Sequence, residues 1–208
     1  MKTTTLSKTR ECLGMYERIW KRAFDILGAV FLLTLACIPM LVVALLIKLE
    51  SPGPVLFKQL RVGRHSKPFY LYKFRSMRVD TPEVASYDLH GHNYVTFIGR
   101  IMRKTSVDEL PQLFNILKGQ MSFIGPRPVI VSEEELVSER RSRKADRCLP
   151  GISGWAQVNG RDRVTILQKA MYDAEYALDI NLWRDIKILF LTIWNILFAR
   201  GVVEEKIQ

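Results

Sequence analysis

ILGAVFLLTLACIPMLVVALLI, residues 26–47, runs for 22 residues without a charge, and its reading decides the architecture of the chain. As one straight helix it reaches roughly 33 Å, enough to cross a bilayer. A buried core helix is disfavoured, because soluble helices are rarely apolar on every side over such a length. A cleaved signal peptide is disfavoured too: the run starts too deep, exceeds a usual h-region and has no clear small-x-small cleavage site. Pro39 lies near the middle, where it removes a backbone hydrogen bond and clashes with the carbonyl of Leu35. Either the helix spans with a kink, or it breaks at Pro39 and returns to the side it entered. Charge favours the return. Lys2, Lys8, Arg10, Arg18, Lys21 and Arg22 precede the run, and Lys48, Lys58, Arg61, Arg64 and Lys67 follow it. Basic flanks stay cytoplasmic, so a hairpin satisfies both sides and a span only one.

The whole chain has 208 residues, a formal charge of +10 and 48% hydrophobic residues. That suits one domain with an anchor and excludes a disordered chain. The basic excess calls for an anionic partner: a membrane surface, a phosphorylated substrate or nucleic acid. Nucleic acid is disfavoured, since the basic residues are dispersed and no aromatic–basic cassette is present. Cys12, Cys37 and Cys148 are too few and too scattered for a disulfide framework, which implies a reduced, cytosol-facing protein.

After the apolar run, SPGPVLFKQLRVG reads as a turn and a short strand, and KPFYLYKFRSM as a second strand by its alternation. Residues 79–97 read as a polar surface loop. FIGRIMRK and DELPQLFNILKG read as helices. SEEELVSERRSRKADR reads as a charged helix with a solvated face. LPGISGWAQVNGRD reads as a glycine-rich loop, and TILQKAMYDAEYAL as an amphipathic helix. LWRDIKILFLTIWNILFARG is very apolar but carries Arg184, Asp185 and Lys187, a poor span. Its tryptophans suit a helix lying at a membrane interface; packing into the core is the competing reading.

The densest chemistry is SVDELPQLFNILKGQMSFIGPRP, residues 106–128, with Asp108 and Glu109 adjacent. The plain reading is capping, since Ser106 and Glu109 match a capping box. With Ser106 as N-cap, however, Pro111 falls beyond the first turn. With Val107 or Asp108 as cap, Pro111 falls where no N–H is needed. Asp108 then stands at a helix N-terminus, in a field that favours its ionised form. An ionised aspartate is a competent nucleophile toward phosphorus, and two acids suit one Mg²⁺ completed by water and phosphate oxygens. Arg103 precedes the pair. Arg127 is stiffened between Pro126 and Pro128, which makes it a good phosphate ligand. Arg161 ends QVNGR. Carboxylates, arginines and glycines together point to phosphoryl chemistry on a diphosphate. A basic protein docked on lipid without catalysis explains the charge and the apolar run, but not acids beside a stiff arginine. A membrane phosphatase with an aspartate nucleophile is the other alternative. His65, His90 and His92 lack carboxylate or cysteine partners for a metal centre.

KRAFDILGA, KFRSM, TSVDELPQLFNILKGQMSFIGPRP and PGISGWAQVNGR resemble the bacterial sugar transferases, and among them the small monotopic phosphoglycosyl transferases. The resemblance covers residues 16–200. It implies an α+β, mostly helical fold: residues 1–50 forming an N-terminal segment and re-entrant helix broken at Pro39, and residues 51–208 a cytosolic catalytic domain with short strands and interfacial helices. It implies transfer of a sugar-1-phosphate from a UDP-sugar to polyprenyl phosphate at the bacterial inner membrane, with Mg²⁺ and release of UMP by a ping-pong mechanism. Asp108 is then the nucleophile and Glu109 completes the dyad, both facing the metal. Arg127 between Pro126 and Pro128 binds phosphate, and Arg103 and Arg161 match further functional arginines. Two departures stand out: Gln120 in KGQMS, where an acid is usual, and Leu149 in LPGI, where arginine is common.

Overall fold

The computed structural model describes residues 16–81, 94–160 and 164–198. A π-helical turn at Tyr16–Trp20 leads into α1, Lys21–Glu50. Helix α1 continues through Pro39, so the expected division into two helices there is not what the chain adopts. A proline costs a helix one donor and a local bend, and in an apolar helix the remaining ladder holds. The Thr34 hydroxyl donates to the carbonyl of Val30 at 2.9 Å, a back-bond of the kind that also bends helices.

One stripe of α1 faces the rest of the protein at helical spacing. Ala29 and Leu33 pack with Phe69, Leu71, Leu113, Ile116 and Met121. Farther along, Met40, Val43, Ala44 and Ile47 pack with Phe74 and Met102. Both ends are tied down. Arg22 donates to the carbonyls of Ile116 and Leu117 at 2.6 and 3.0 Å, and Asp25 accepts from the Ser122 hydroxyl and the Phe123 N–H, both at 3.0 Å. At the far end, Arg75 donates to the carbonyls of Ser51 and Pro52, and Glu50 accepts from the N–H of Phe97. The two ends of α1 therefore rest on one globular body. The opposite stripe, including Phe24, Leu27, Phe31, Leu35, Ile38, Leu45 and Leu49, is exposed. An apolar surface of that extent is unfavourable in water and marks a lipid-facing side.

The body is mostly helical with a few short strands. Strands β1, Leu56–Val62, and β2, Pro68–Phe74, form an antiparallel hairpin with Leu56 opposite Phe74 and Val62 opposite Pro68. Helix α2, Phe97–Thr105, starts at Thr96, whose hydroxyl accepts from the Gly99 N–H. Helix α3, Gln112–Leu117, lies beside β2. There the buried Asn115 acts as a stand-in strand: its Oδ1 accepts from the Tyr72 N–H at 3.0 Å, and its Nδ2 donates to the Tyr70 carbonyl at 2.7 Å. Asn115 thereby satisfies two backbone groups of β2. Gln120, one of the two departures, accepts from the same Nδ2 at 2.9 Å and so fixes the orientation of Asn115.

Strand β3, Ser122–Ile124, pairs in parallel with β4, Gly151–Ser153. Neither is apparent from sequence alternation, since each has only three residues. Helices α4, Glu134–Ser142, α5, Trp155–Val158, and α6, Ile166–Leu178, complete the body on the side of β3 and β4. Thr165 and Gln168 form a reciprocal capping box at the start of α6. Helix α4 is not simply solvated as its charge pattern implied: Leu136 and Arg140 are buried. Helix α7, Leu182–Leu197, packs one face into the body, as the core-packing reading expects, and leaves its other, apolar face exposed. Its inner stripe carries Asp185 and Ile188. Asp185 accepts from Lys21 at 2.5 Å, Tyr176 at 2.7 Å and Tyr16 at 3.0 Å. Its outer face exposes Trp183, Ile186, Leu189, Phe190, Ile193 and Trp194. The buried Lys21–Asp185 pair thus joins the two helices that present apolar surface.

Three glycines let β3, β4 and the Gly-Pro-Arg-Pro turn approach each other. A Cβ on Gly125 would lie 2.2 Å from the Leu149 carbonyl oxygen, and one on Gly154 would lie 2.1 Å from the Gly125 carbonyl oxygen. On Gly151 it would lie 2.1 Å from the Gly125 nitrogen and 2.4 Å from the Ser153 carbonyl oxygen. Because the obstacles are backbone, no rotamer change relieves them. Gly151→Ala should therefore cost about 3 kcal/mol, at the upper end of overpacking effects. For a chain of this size that lowers the thermal midpoint by about 6–12 °C, measurable by scanning calorimetry in detergent. An unchanged midpoint would mean the three segments have room to separate.

Candidate active site

Asp108 and Glu109 sit in a tight turn between α2 and α3. Ser106 ends α2 in the left-handed region, at φ 57° and ψ 17°, and reverses the chain. A 3₁₀ turn over Val107–Glu109 follows, and Pro111 occupies the N-cap position of α3. Ser106 makes no side-chain capping bond, so the capping box is not formed. The expectation that a helix N-terminus stabilises ionised Asp108 is also corrected. The turn separates it from α3, and burial raises its pKa despite the opposing charge of Lys73. Pro111 already argued against Ser106 as N-cap, but a left-handed serine is not legible as a chain reversal without its surroundings.

The two acids have opposite environments. Asp108 is 7% exposed and makes no hydrogen bond or ion pair among the described residues. The charges of Lys73, Arg103 and Arg127 act on it favourably, and that of Glu109 unfavourably. Glu109 is clamped: its Oε1 accepts from Lys73 Nζ at 2.8 Å and from Arg127 Nη2 at 2.9 Å. Burial alone raises the Glu109 pKa, but the charges and hydrogen bonds of Arg127 and Lys73 outweigh it and hold this carboxylate well below its usual range. Glu109 is thus firmly ionised and spoken for. Asp108 is a desolvated carboxylate with open coordination next to cations.

The other expected residues are brought together in part. Arg103, in the last turn of α2, reaches back so that its Nε donates to the Ser76 hydroxyl at 3.1 Å. This is possible because α2 lies directly on Ser76, where a Cβ on Gly99 would come within 2.0 Å of the Ser76 carbonyl oxygen. Arg127 aims its guanidinium at Glu109. Pro126 and Pro128 contribute their carbonyls to the anchoring of the turn: Pro126 accepts from the Gly151 N–H at 2.9 Å and Pro128 from Arg61 Nη1 at 3.3 Å. Arg161 lies outside the described residues, as do His90 and His92.

Two site residues were not singled out from sequence. Lys73 lies within the KFRSM motif, and its neighbourhood to Glu109 depends on the hairpin register that places it opposite Phe57. Arg61 stands near Arg127, and its pKa is lowered to about 10 by burial and then by the Arg127 charge. Two guanidinium groups held close define a place where an anion is favourable.

Among the described residues no group of three His, Cys, Asp or Glu side chains could hold a metal ion. The donor set at this site is instead two adjacent carboxylates: Asp108, which makes no hydrogen bond among the described residues, and Glu109, whose Oε1 is held by Lys73 and Arg127. That fits Mg²⁺, which uses one or two carboxylates and takes the rest of its shell from water and substrate phosphates.

The model of the bacterial sugar transferase family matches residues 16–199. The chain is 41% identical to an uncharacterized sugar transferase, EpsL, of Bacillus subtilis, over 88% of this chain and 90% of that protein. It is 42% identical to the undecaprenyl-phosphate glucose phosphotransferase of Komagataeibacter xylinus, over 92% of this chain and 38% of the relative. It is 43% identical to the UDP-N-acetylgalactosamine-undecaprenyl-phosphate N-acetylgalactosaminephosphotransferase of Aeromonas hydrophila, over 87% of this chain and 44% of the relative. The chain thus spans nearly all of the first protein and under half of the other two. Because the match covers the lipid-facing helix, the acidic turn and the Gly-Pro-Arg-Pro anchor together, this chain belongs to the bacterial sugar transferase family.

Proposed function

We propose that the protein is a membrane-bound phosphoglycosyl transferase, moving a sugar-1-phosphate from a UDP-sugar to polyprenyl (undecaprenyl) phosphate and releasing UMP. The observation that carries the mechanism is Asp108: a buried carboxylate without a hydrogen bond among the described residues, surrounded by cations, beside a glutamate already neutralised. In the first step an Asp108 oxygen attacks the donor phosphorus that bears the sugar. The bond from that phosphorus to the bridging oxygen breaks, and the electron pair leaves with UMP. In the second step an oxygen of polyprenyl phosphate attacks the aspartyl phosphosugar. The bond to Asp108 breaks and the carboxylate is regenerated.

Arg127, Arg103 and Arg61 supply positive charge where phosphate oxygens carry negative charge in the transition state. Lys73 and Arg127 hold Glu109 and reduce the repulsion it exerts on an incoming diphosphate. Asp108 and Glu109 would hold Mg²⁺, which when bound supplies further neutralisation of donor phosphate charge. Both ends of α1 rest on one body, and the outer faces of α1 and α7 are apolar. That arrangement supports a monotopic placement in the bacterial inner membrane with α1 as one unbroken helix, and the basic residues flanking α1 favour the cytosolic side for the active site.

The test is UMP release by the purified protein in vesicles, with undecaprenyl phosphate and a panel of UDP-sugars. Relatives of nearly equal identity are named for different sugars, so the panel identifies the donor. Sustained UMP release that depends on undecaprenyl phosphate is expected. Release of inorganic phosphate without acceptor would indicate a phosphatase, and no release with any donor would indicate a lipid-docked protein without catalysis.

A further inference from the structure

The turn that carries Arg127 is held with unusual completeness. The carbonyls of residues 126–129 all have donors: Gly151 N–H on Pro126 at 2.9 Å, Arg140 Nη1 on Arg127 at 2.9 Å, Arg61 Nη1 on Pro128 at 3.3 Å and Val62 N–H on Val129 at 2.9 Å. Arg140 is the element here that comes from a distant helix. It is buried on α4, and its Nε and Nη2 both reach Asp173 Oδ2 on α6, at 2.8 and 2.7 Å. Asp173 is itself almost fully buried. Val129 packs between the same two helices, with Leu136 and Ala170.

We propose that Arg140 is a positioning residue for catalysis: clamped by Asp173, it fixes the backbone at Arg127 so that the Arg127 guanidinium is presented to donor phosphate. The inference rests on Arg127 being a phosphate ligand. A buried ion pair is not needed merely to hold two helices, since apolar side chains of similar volume serve that purpose as well. What an arginine adds is a planar fork that grips a carboxylate on one edge and still offers an N–H on the other. Here that remaining N–H goes to the one carbonyl whose residue faces the acidic pair. The geometry acts through the backbone, so Arg140 touches neither substrate nor reacting atoms.

The test is a double-mutant cycle on kcat/KM, in the full chain in vesicles, using the UDP-sugar that supports turnover in the panel. Arg140→Lys keeps the charge beside Asp173 but cannot make both contacts. Alone it should lower kcat/KM about tenfold. In the Arg127→Ala background the same change should have less than about a twofold effect, because the residue it acts through is gone. Equal losses in both backgrounds would overturn the proposal and make Arg140 a general support of the fold. Parental kcat/KM in Arg127→Ala alone would instead remove Arg127 from the site, overturning the reading beneath. If Arg140→Lys does not yield folded protein, Arg140→Gln with Asp173→Asn removes both charges together and enters the same cycle. The expected and opposing patterns are unchanged.

Discussion

Asp108→Asn should yield a folded, membrane-bound protein with turnover reduced on the order of 10⁴-fold, the scale of losing a residue central to covalent catalysis. The side chain makes no capping bond that asparagine would have to replace. Its removal should also help stability. The folded-state pKa of Asp108 is raised by burial, so ionising it disfavours the folded state. That penalty is complete above the folded pKa and vanishes below the unfolded value of about 3.9. Asp108→Asn should therefore unfold at a slightly higher temperature than the parent at neutral pH, with the difference closing toward pH 3. A gain in stability with loss of activity is the mark of a group retained for chemistry. Intact-protein mass after incubation with donor and Mg²⁺, without acceptor, separates the possibilities. The parent should gain one phosphosugar and Asp108→Asn none. An adduct persisting in the variant would place the nucleophile elsewhere, and full turnover would return Asp108 to an ordinary turn residue.

The meeting of Glu109 with Arg127 was legible because the candidate chemistry is compressed into one segment, residues 106–128, which holds two acids, a proline and a stiff arginine. The hairpin β1–β2 was legible by alternation, and the lipid-facing run by length alone. What was hidden shares one cause. The roles of Lys73, Asn115 and Arg140 are set by partners far away in sequence. Lys73 reaches Glu109 only through the register of the hairpin. The segment SEEELVSERRSRKADR carries four arginines and one lysine, and no local pattern says that Arg140 is the one turned inward. Packing of α4 on α6 decides that. The continuity of α1 through Pro39 has a different cause. Proline propensities describe helices that compete with water for backbone hydrogen bonds, whereas an apolar helix gains little by opening its ladder. The acidic turn shows the limit of cap rules. Ser-x-x-Glu matched a capping box, but Ser106 took the left-handed conformation that ends one helix instead of starting the next.

Glu109→Gln is expected to lower kcat/KM about 10²–10³-fold, within the range for loss of a group that handles protons or charge in the transition state. The mechanism differs from that of Asp108→Asn, and so should the signature. In the parent, Glu109 neutralises Lys73 and Arg127 and repels the neighbouring Asp108 charge. A neutral glutamine ends the repulsion and leaves two cations to act on Asp108. Both effects lower the Asp108 pKa. Activity needs Asp108 ionised, so the acid limb of the kcat/KM profile should move to lower pH even as the maximum falls. Lys73→Met should do the reverse, because it removes a cation that favours ionised Asp108, and its acid limb should move to higher pH. The phosphosugar adduct should still form in Glu109→Gln, more slowly than in the parent, since the attacking oxygen remains. An acid limb that disappears in Glu109→Gln would show that Glu109, and not Asp108, is the group whose ionisation the reaction follows, and the roles within the pair would have to be exchanged.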